Sequence, residues 1–305
     1  MNSKRIAHNF LMSRTGGTYQ PNDVDVLSQV LDYEREQKEL KEFKVALLFI
    51  CLNEPYWEFA KEAMEGADKF FLPGHKVDKF LWSDMPAENH YGATVFKTEG
   101  LAWPAPTLYR YHLFLQQEKL LEKYDYVFYC DIDMRFVNVV GDEVLGDGVT
   151  AAQHPMYALK KQLWPPYEPN VDSASYIPRP GKVISDGGKP RFMPLYYAGG
   201  FQGGTALSFI KAAKGVKELI DKDENERNYT PIWNDESAWN RYLFDNPPSI
   251  VLTPSYIYPD TLIKEYYEPL WGTSYPPKLV TLTKKFSVKQ LTPEEHKELM
   301  SMQKI

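Results

Sequence analysis

The chain has 305 residues, 43% of them hydrophobic and 14% aromatic, which suffices for a sizeable core in a single long domain. Its formal net charge of −6 argues against a general nucleic-acid binder. No window approaches the ~18 continuous apolar residues of a membrane span, and residues 1–17 lack the apolar core of a signal peptide, so the sequence reads as soluble and cytoplasmic.

In chain order, residues 1–23 are polar and read as a loose arm, and residues 24–42 as a charged, weakly periodic appended helix. The core is expected to begin at Lys44, with Val45–Leu52 as a buried strand ending near Cys51. Pro55–Phe71 has the apolar spacing of an amphipathic helix with proline in its first turn. Val77–Trp82 is expected as a second strand, Thr107–Glu122 as a helix, and Tyr126–Cys130 as a buried strand running into Asp131. A short strand at Arg135–Val139 and another at Val149–Gln153, leading into His154, follow. Residues 155–194 hold eight prolines and read as a long irregular excursion. Thr205–Ile220 and Glu236–Asp245 read as helices and Ile250–Thr253 as a short strand. The capping box Thr292–Glu295 predicts a helix over 293–303. Strands alternating with helices imply a Rossmann-like, mainly parallel α/β sheet with helices on both faces. The two cysteines, Cys51 and Cys130, each end an apolar run and read as buried thiols rather than a disulfide.

Three groups of residues could carry chemistry. Asp131 and Asp133 flank Ile132 at a strand's carboxyl end, where positions i and i+2 share a side. Paired carboxylates suit a hard divalent ion whose shell a diphosphate would complete, although an acidic turn accounts for the same residues. The run from Tyr196 to Gly204 contains four glycines in six residues. It reads as a loop that lets a nucleotide approach the backbone, or as a plain tight turn. Asp235 and Glu236 open a helix, where they suit capping, or a carboxylate poised beside an anomeric carbon.

The segments FICLNEPYW, LAWPAPTLYRYHLFL, YDYVFYCDIDMRF, QHPMY, SYIP, YYAGGFQGG and PIWNDESAWNRYLFDNPPSIVLTPSYIYPD, with the lysines at 284 and 285, stand in a specific order and spacing. Over roughly residues 44–285 the chain resembles glycosyltransferase family six. The resemblance implies a GT-A fold and transfer with retention of configuration. It divides the chain into an arm with an appended helix (1–43), a catalytic domain (44–285) and a tail (286–305). It implies Mn²⁺ and the donor diphosphate at Asp131 and Asp133, with Ile132 against the ribose. Many bacterial members of the family carry asparagines at that pair and work without metal; this chain keeps both aspartates.

On the donor side, the resemblance assigns Phe49, Ile50, Cys51 and Tyr56 to uridine. It puts Trp103 and Arg110 on a closing flap and lets Lys284 close over the diphosphate. Ala198, Gly199 and Gly200 would select the donor sugar, and Asp235 would contact it. Glu236 would be the catalytic carboxylate, also facing the acceptor. His154, Trp233 and Asp260 would contact the acceptor. The small Ala198–Gly200 triplet leaves room for an N-acetyl group, which favours UDP-GalNAc over UDP-galactose.

The expected partners are therefore a nucleotide-sugar donor and a galactoside-containing glycan. The chain departs from the family's pattern at Pro165–Asn170 and in a longer loop from Arg179 to Pro194, both near the acceptor side. Two other readings stay open: a UDP-sugar hydrolase or a transferase with another donor, and an inactive carbohydrate-binding module on the same fold.

Overall fold

The run VALLFIC has every side chain buried, so it can only be a strand covered on both faces. In the computed structural model it forms β1 (Lys44–Cys51), beside the centre of a seven-stranded sheet. The structure describes residues 42–86, 90–158, 166–178, 185–186, 189–190, 195–260 and 276–284. The helix expected over 24–42 lies almost wholly outside these residues, as do Lys285, the helix expected over 293–303 and most of the 179–194 loop.

After β1 come α1 (Glu54–Phe70), β2 (Lys76–Ser83) and β3 (Thr94–Lys97). Three short helical pieces follow: α2 (Ala105–Leu108), α3 (Arg110–Leu115) and α4 (Glu118–Leu121). Then come β4 (Tyr126–Cys130), β5 (Met134–Phe136), β6 (Val149–Gln153) and α5 (Pro155–Ala158). A short hairpin, β7 (Ser185–Asp186) with β8 (Lys189–Pro190), precedes β9 (Tyr197–Thr205) and α6 (Ala206–Arg227). The remaining described elements are α7 (Asp235–Asp245), β10 (Ile250–Leu252), β11 (Tyr258–Pro259) and β12 (Leu279–Thr281). Those from Phe43 onward belong to one compact unit.

The sheet order is β10-β6-β9-β4-β1-β2-β3. The β3–β2–β1–β4 run and the β6–β10 pair are parallel; β9 is antiparallel to both β4 and β6. Alternation along β1 divides the core between two faces. Ala46, Leu48 and Ile50 pack with Trp82, Phe114 and Trp239 on one face. Val45, Leu47 and Phe49 pack with Met64, Phe128 and Phe201 on the other. A second, three-stranded sheet, β11-β12-β5, brings residues 279–284 beside Asp133.

Several expectations need correction. The glycine-rich run is neither a loop nor a turn but the buried strand β9. Its glycines answer close contact: a Cβ on Gly203 would stand 2.1 Å from the Phe128 ring. Thr107–Glu122 is broken into α2, α3 and α4 rather than forming one helix. β5 covers Met134–Phe136 instead of reaching Val139, and the strand β3 carried no expectation at all.

Candidate active site

At the carboxyl ends of β1 and β4, where ligands bind in open α/β sheets, lies a cavity of about 310 Å³. Ile50, Tyr56, Trp103, Arg110, Asp131, Ile132 and Asp133 line it, together with Gly199, Gly200, Trp233, Asp235, Glu236 and Lys284. Residues from six separate segments of the chain thus meet at one place. Of the expected residues, Phe49 and Cys51 do not line the cavity; they are buried on the face of β1 opposite Ile50. The Cys51 thiol faces the Tyr56 carbonyl and Met85, and burial raises its pKa.

β4 ends at Cys130, so Asp131 and Asp133 stand in the turn after it and not within the strand. The turn is fixed by the Asp131 N–H, which donates to the Gly200 carbonyl at 2.8 Å, and by the Met134 N–H on the Asp131 carbonyl. Asp131 Oδ1 accepts from the Tyr129 hydroxyl and lies 3.4 Å from Arg110. Asp133 Oδ2 lies 2.9 Å from Lys284 Nζ, which also sits over the Tyr56 ring. The pKa of Asp133 is raised, by burial first and then by Asp131.

Arg110 is the hub. Only 4% exposed, it donates to the Gly199 carbonyl at 2.9 Å, pairs with Asp235 at 3.0 Å and lies over the Tyr129 ring. It is the buried first residue of α3, with one guanidinium serving two carboxylates and the carbonyls of Thr107 and Gly199. The planar, multiply donating fork of arginine suits this position as lysine would not.

Asp235 does not cap α7. The cap position is Asn234, at φ 50° and without a side-chain cap bond, while the Asp235 carboxylate turns inward to Arg110. Burial raises the pKa of Asp235 and Arg110 opposes the rise. Glu236 Oε2 accepts from the Gly199 N–H at 2.9 Å. Burial pushes this carboxyl up to about 7, against the opposing pull of that N–H and of the neighbouring Tyr196 hydroxyl.

The three residues of the Ala198–Gly200 triplet face different surroundings. Ala198 packs in the core. A Cβ on Gly200 would meet Asp131 Oδ2 and the Ile257 side chain at 2.8 Å. A Cβ on Gly199 would keep ordinary contact distance, 3.6 to 3.8 Å, from Arg110, Glu236 and Asp235. Gly199 is therefore the position where a larger residue narrows the cavity beside the carboxylates.

His154 lies at the end of β6, its ring packed with Tyr157 and Tyr196, and burial lowers its pKa to about 4. It adjoins the cavity through Tyr196 instead of lining it. Asp260 accepts from the N–H and hydroxyl of Thr283, clasping the segment that delivers Lys284. Trp233 stands at the rim, 44% exposed. Asn53 and Tyr129, which line the cavity, and Tyr196, beside Glu236, were not expected as site residues. Tyr129 was accessible by alternation, standing two residues before Asp131 on the same side.

Asp131 and Asp133 carry carboxylate oxygens of the kind a hard divalent cation takes, and Asp133 faces the Lys284 ammonium while Asp131 faces Arg110. Among the described residues no three or more His, Cys, Asp or Glu side chains are arranged so that together they could hold a metal ion. The protein would thus supply two carboxylates, leaving the other coordination positions to diphosphate and water.

A mainly parallel α/β sheet with a carboxylate pair after a central strand, facing a cavity, defines this protein as one of GT-A type. The chain belongs to Glycosyltransferase family 6, whose sequence profile matches residues 29–267. It is 26% identical over 243 residues to Histo-blood group ABO system transferase 1 of Rattus norvegicus, covering 76% of this chain and 66% of that protein. It is 28% identical over 215 residues to Globoside alpha-1,3-N-acetylgalactosaminyltransferase 1 of Homo sapiens, covering 67% and 58%. Glycosyltransferase 6 domain-containing protein 1 of Rattus norvegicus is 29% identical over 209 residues, covering 65% and 62%. The chain thus spans 58–66% of the length of these relatives. No described helix is long and apolar enough to cross a membrane.

Proposed function

We propose that this protein is a retaining hexosyltransferase. It moves GalNAc, or Gal, from its UDP-sugar to the 3-hydroxyl of a β-galactoside and forms an α1,3 linkage. The observation that carries this reading is the joint placement of Glu236 and the Asp131–Asp133 pair on one cavity, tied together through Gly199 and Arg110. The names of the relatives, which include a globoside α1,3-N-acetylgalactosaminyltransferase, support the linkage and the sugar.

Asp131 and Asp133 would hold Mn²⁺, which when bound neutralises charge on the departing diphosphate. Ile50 and Tyr56 give the nucleotide an apolar and aromatic surface at the end of β1. Arg110 fixes the position of Asp131 and Asp235 before substrate arrives, so no reorganisation is needed as charge develops. Glu236, held by the Gly199 N–H, presents a carboxylate to the anomeric carbon as the glycosidic bond to the diphosphate weakens. His154 presents a neutral imidazole on the acceptor side.

The test is UDP release across a panel of UDP-sugars, with and without a β-galactoside, in Mn²⁺ or in EDTA. Release from UDP-GalNAc or UDP-galactose that depends on both the galactoside and Mn²⁺ is expected. Release indifferent to the galactoside would replace the reading with a hydrolase, and no release from any donor would leave a binding module.

A further inference from the structure

Glu168 is 2% exposed and lies outside the cavity lining, on the described segment 166–178. One of its oxygens accepts from the Asn170 N–H at 2.9 Å and the Tyr229 hydroxyl at 2.8 Å; the other accepts from the Ile232 N–H at 2.7 Å. All three donors are neutral, and a buried carboxylate served by neutral donors is costly compared with an apolar side chain. What it supplies is acceptor capacity, because both its oxygens accept whereas glutamine has only one that can. Two of its bonds reach across to the stretch 229–232, just before Trp233.

The same segment grips Trp233 directly. The Trp233 indole N–H donates to the Pro166 carbonyl at 2.8 Å. Beyond it the backbone turns through Asn234 at φ 50°, where the Asn234 side chain makes no cap bond and the Trp233 N–H donates to Ser237 Oγ at 3.2 Å. Asn234 N–H on the Pro231 carbonyl and Glu236 N–H on the Trp233 carbonyl carry that turn into α7. The geometry therefore relays the position of Glu168 to the ring at the cavity rim and to the first residues of α7.

We propose that Glu168 is a positioning residue for the acceptor side of the site. It holds Trp233 at the cavity rim and so sets where the acceptor sugar rests relative to Glu236. The acceptor part of this inference depends on the transferase reading above; the tether to Trp233 does not.

The test compares wild type with Glu168→Ala, Glu168→Gln and the milder Tyr229→Phe, which removes one of the three bonds and keeps the fold within reach. Steady-state kinetics are measured with UDP-GalNAc and a β-galactoside. Acrylamide quenching of Trp233 is read as the difference from a Trp233→Phe background. Glu168→Ala should raise the acceptor KM about tenfold or more while the donor KM stays within about twofold, with Glu168→Gln and Tyr229→Phe between it and wild type. Trp233 should become more quenchable in the same order. Equal rises in both KM values, or a fall in kcat with both unchanged, would reduce Glu168 to a structural residue and overturn the proposal. Unchanged quenching of Trp233 would overturn the tether. If wild type transfers to no galactoside, the acceptor role falls with the transferase reading, and quenching alone decides whether Glu168 holds Trp233.

Discussion

Glu236 carries opposite demands for folding and for catalysis. Its folded pKa is raised from 4.5 to about 7, chiefly by burial. The folded state thus binds this proton more tightly than the unfolded chain does. The resulting contribution to stability is complete below about pH 4.5 and is lost as pH rises through about 7. Glu236→Gln keeps an oxygen for the Gly199 N–H and removes the charge. Its Tm should exceed that of wild type at pH 8, and the difference should vanish near pH 4.5, while transfer falls by roughly 10²-fold or more. A lower Tm at pH 8 would make Glu236 a structural residue. Gly199 allows a second test at this scale. A methyl group there meets only ordinary contacts and intrudes on the cavity beside Glu236, whereas one at Gly200 would push against Asp131. Gly199→Ala should therefore lower kcat/KM for UDP-GalNAc relative to UDP-galactose by an amount in the range of about 1–3 kcal/mol. An unchanged ratio would show that Gly199 does not face the N-acetyl group.

At the scale of elements, β9 shows what the sequence could and could not disclose. Runs such as VALLFIC and YVFYC were legible because their only stable environment is a two-sided core. The run AGGFQGG was not, because glycine has low strand propensity and its period-2 pattern is empty where a neighbour's ring fills the space. At Gly203 that neighbour is Phe128, whose ring would stand 2.1 Å from a Cβ. Gly203→Ala should cost about 1–3 kcal/mol through overpacking. Phe128→Leu should recover part of that loss in the double variant, a coupling read from denaturation midpoints in a double-mutant cycle. Additive losses would mean that the ring is not what excludes the methyl. The same reasoning explains the other disagreements. Asp235 had a complete local role as a cap and lost it to Arg110, which lies 125 residues earlier in sequence but 3.0 Å away. The fragmentation of Thr107–Glu122 is a matter of tertiary placement, since the break at Tyr109 brings Arg110 to the cavity and lets the Tyr109 hydroxyl reach Glu224. The residue types of the site were readable, but the hydrogen bonds that decide which oxygen faces the cavity arise between distant segments.

At the scale of the whole molecule, the described C-terminal stretch returns to the sheet beside the carboxylate pair. β12 pairs antiparallel with β5, the Leu282 N–H donates to the Asp133 carbonyl at 2.7 Å, and Asp260 clasps Thr283. These contacts deliver the Lys284 ammonium to Asp133. One carboxylate of the pair is therefore neutralised by a cation belonging to the chain itself, and an incoming divalent ion must compete for it. A diphosphate changes that balance, because it offers Lys284 an anionic partner and contributes its own oxygens to the metal. Mn²⁺ alone should raise Tm little, and Mn²⁺ with UDP should raise it by more than the two separate shifts combined; at ligand concentrations near 100 Kd the stabilisation reaches about 2.7 kcal/mol. Lys284→Gln isolates the competition. Without UDP this variant should bind Mn²⁺ several-fold more tightly than wild type, measured as loss of the free-ion signal in electron paramagnetic resonance, since the rival charge at Asp133 is gone. With UDP present the same variant should lose the synergy in Tm, because the diphosphate no longer gains the ammonium. Weaker Mn²⁺ binding by Lys284→Gln in the absence of UDP would mean that Lys284 supports the metal site and does not compete for it.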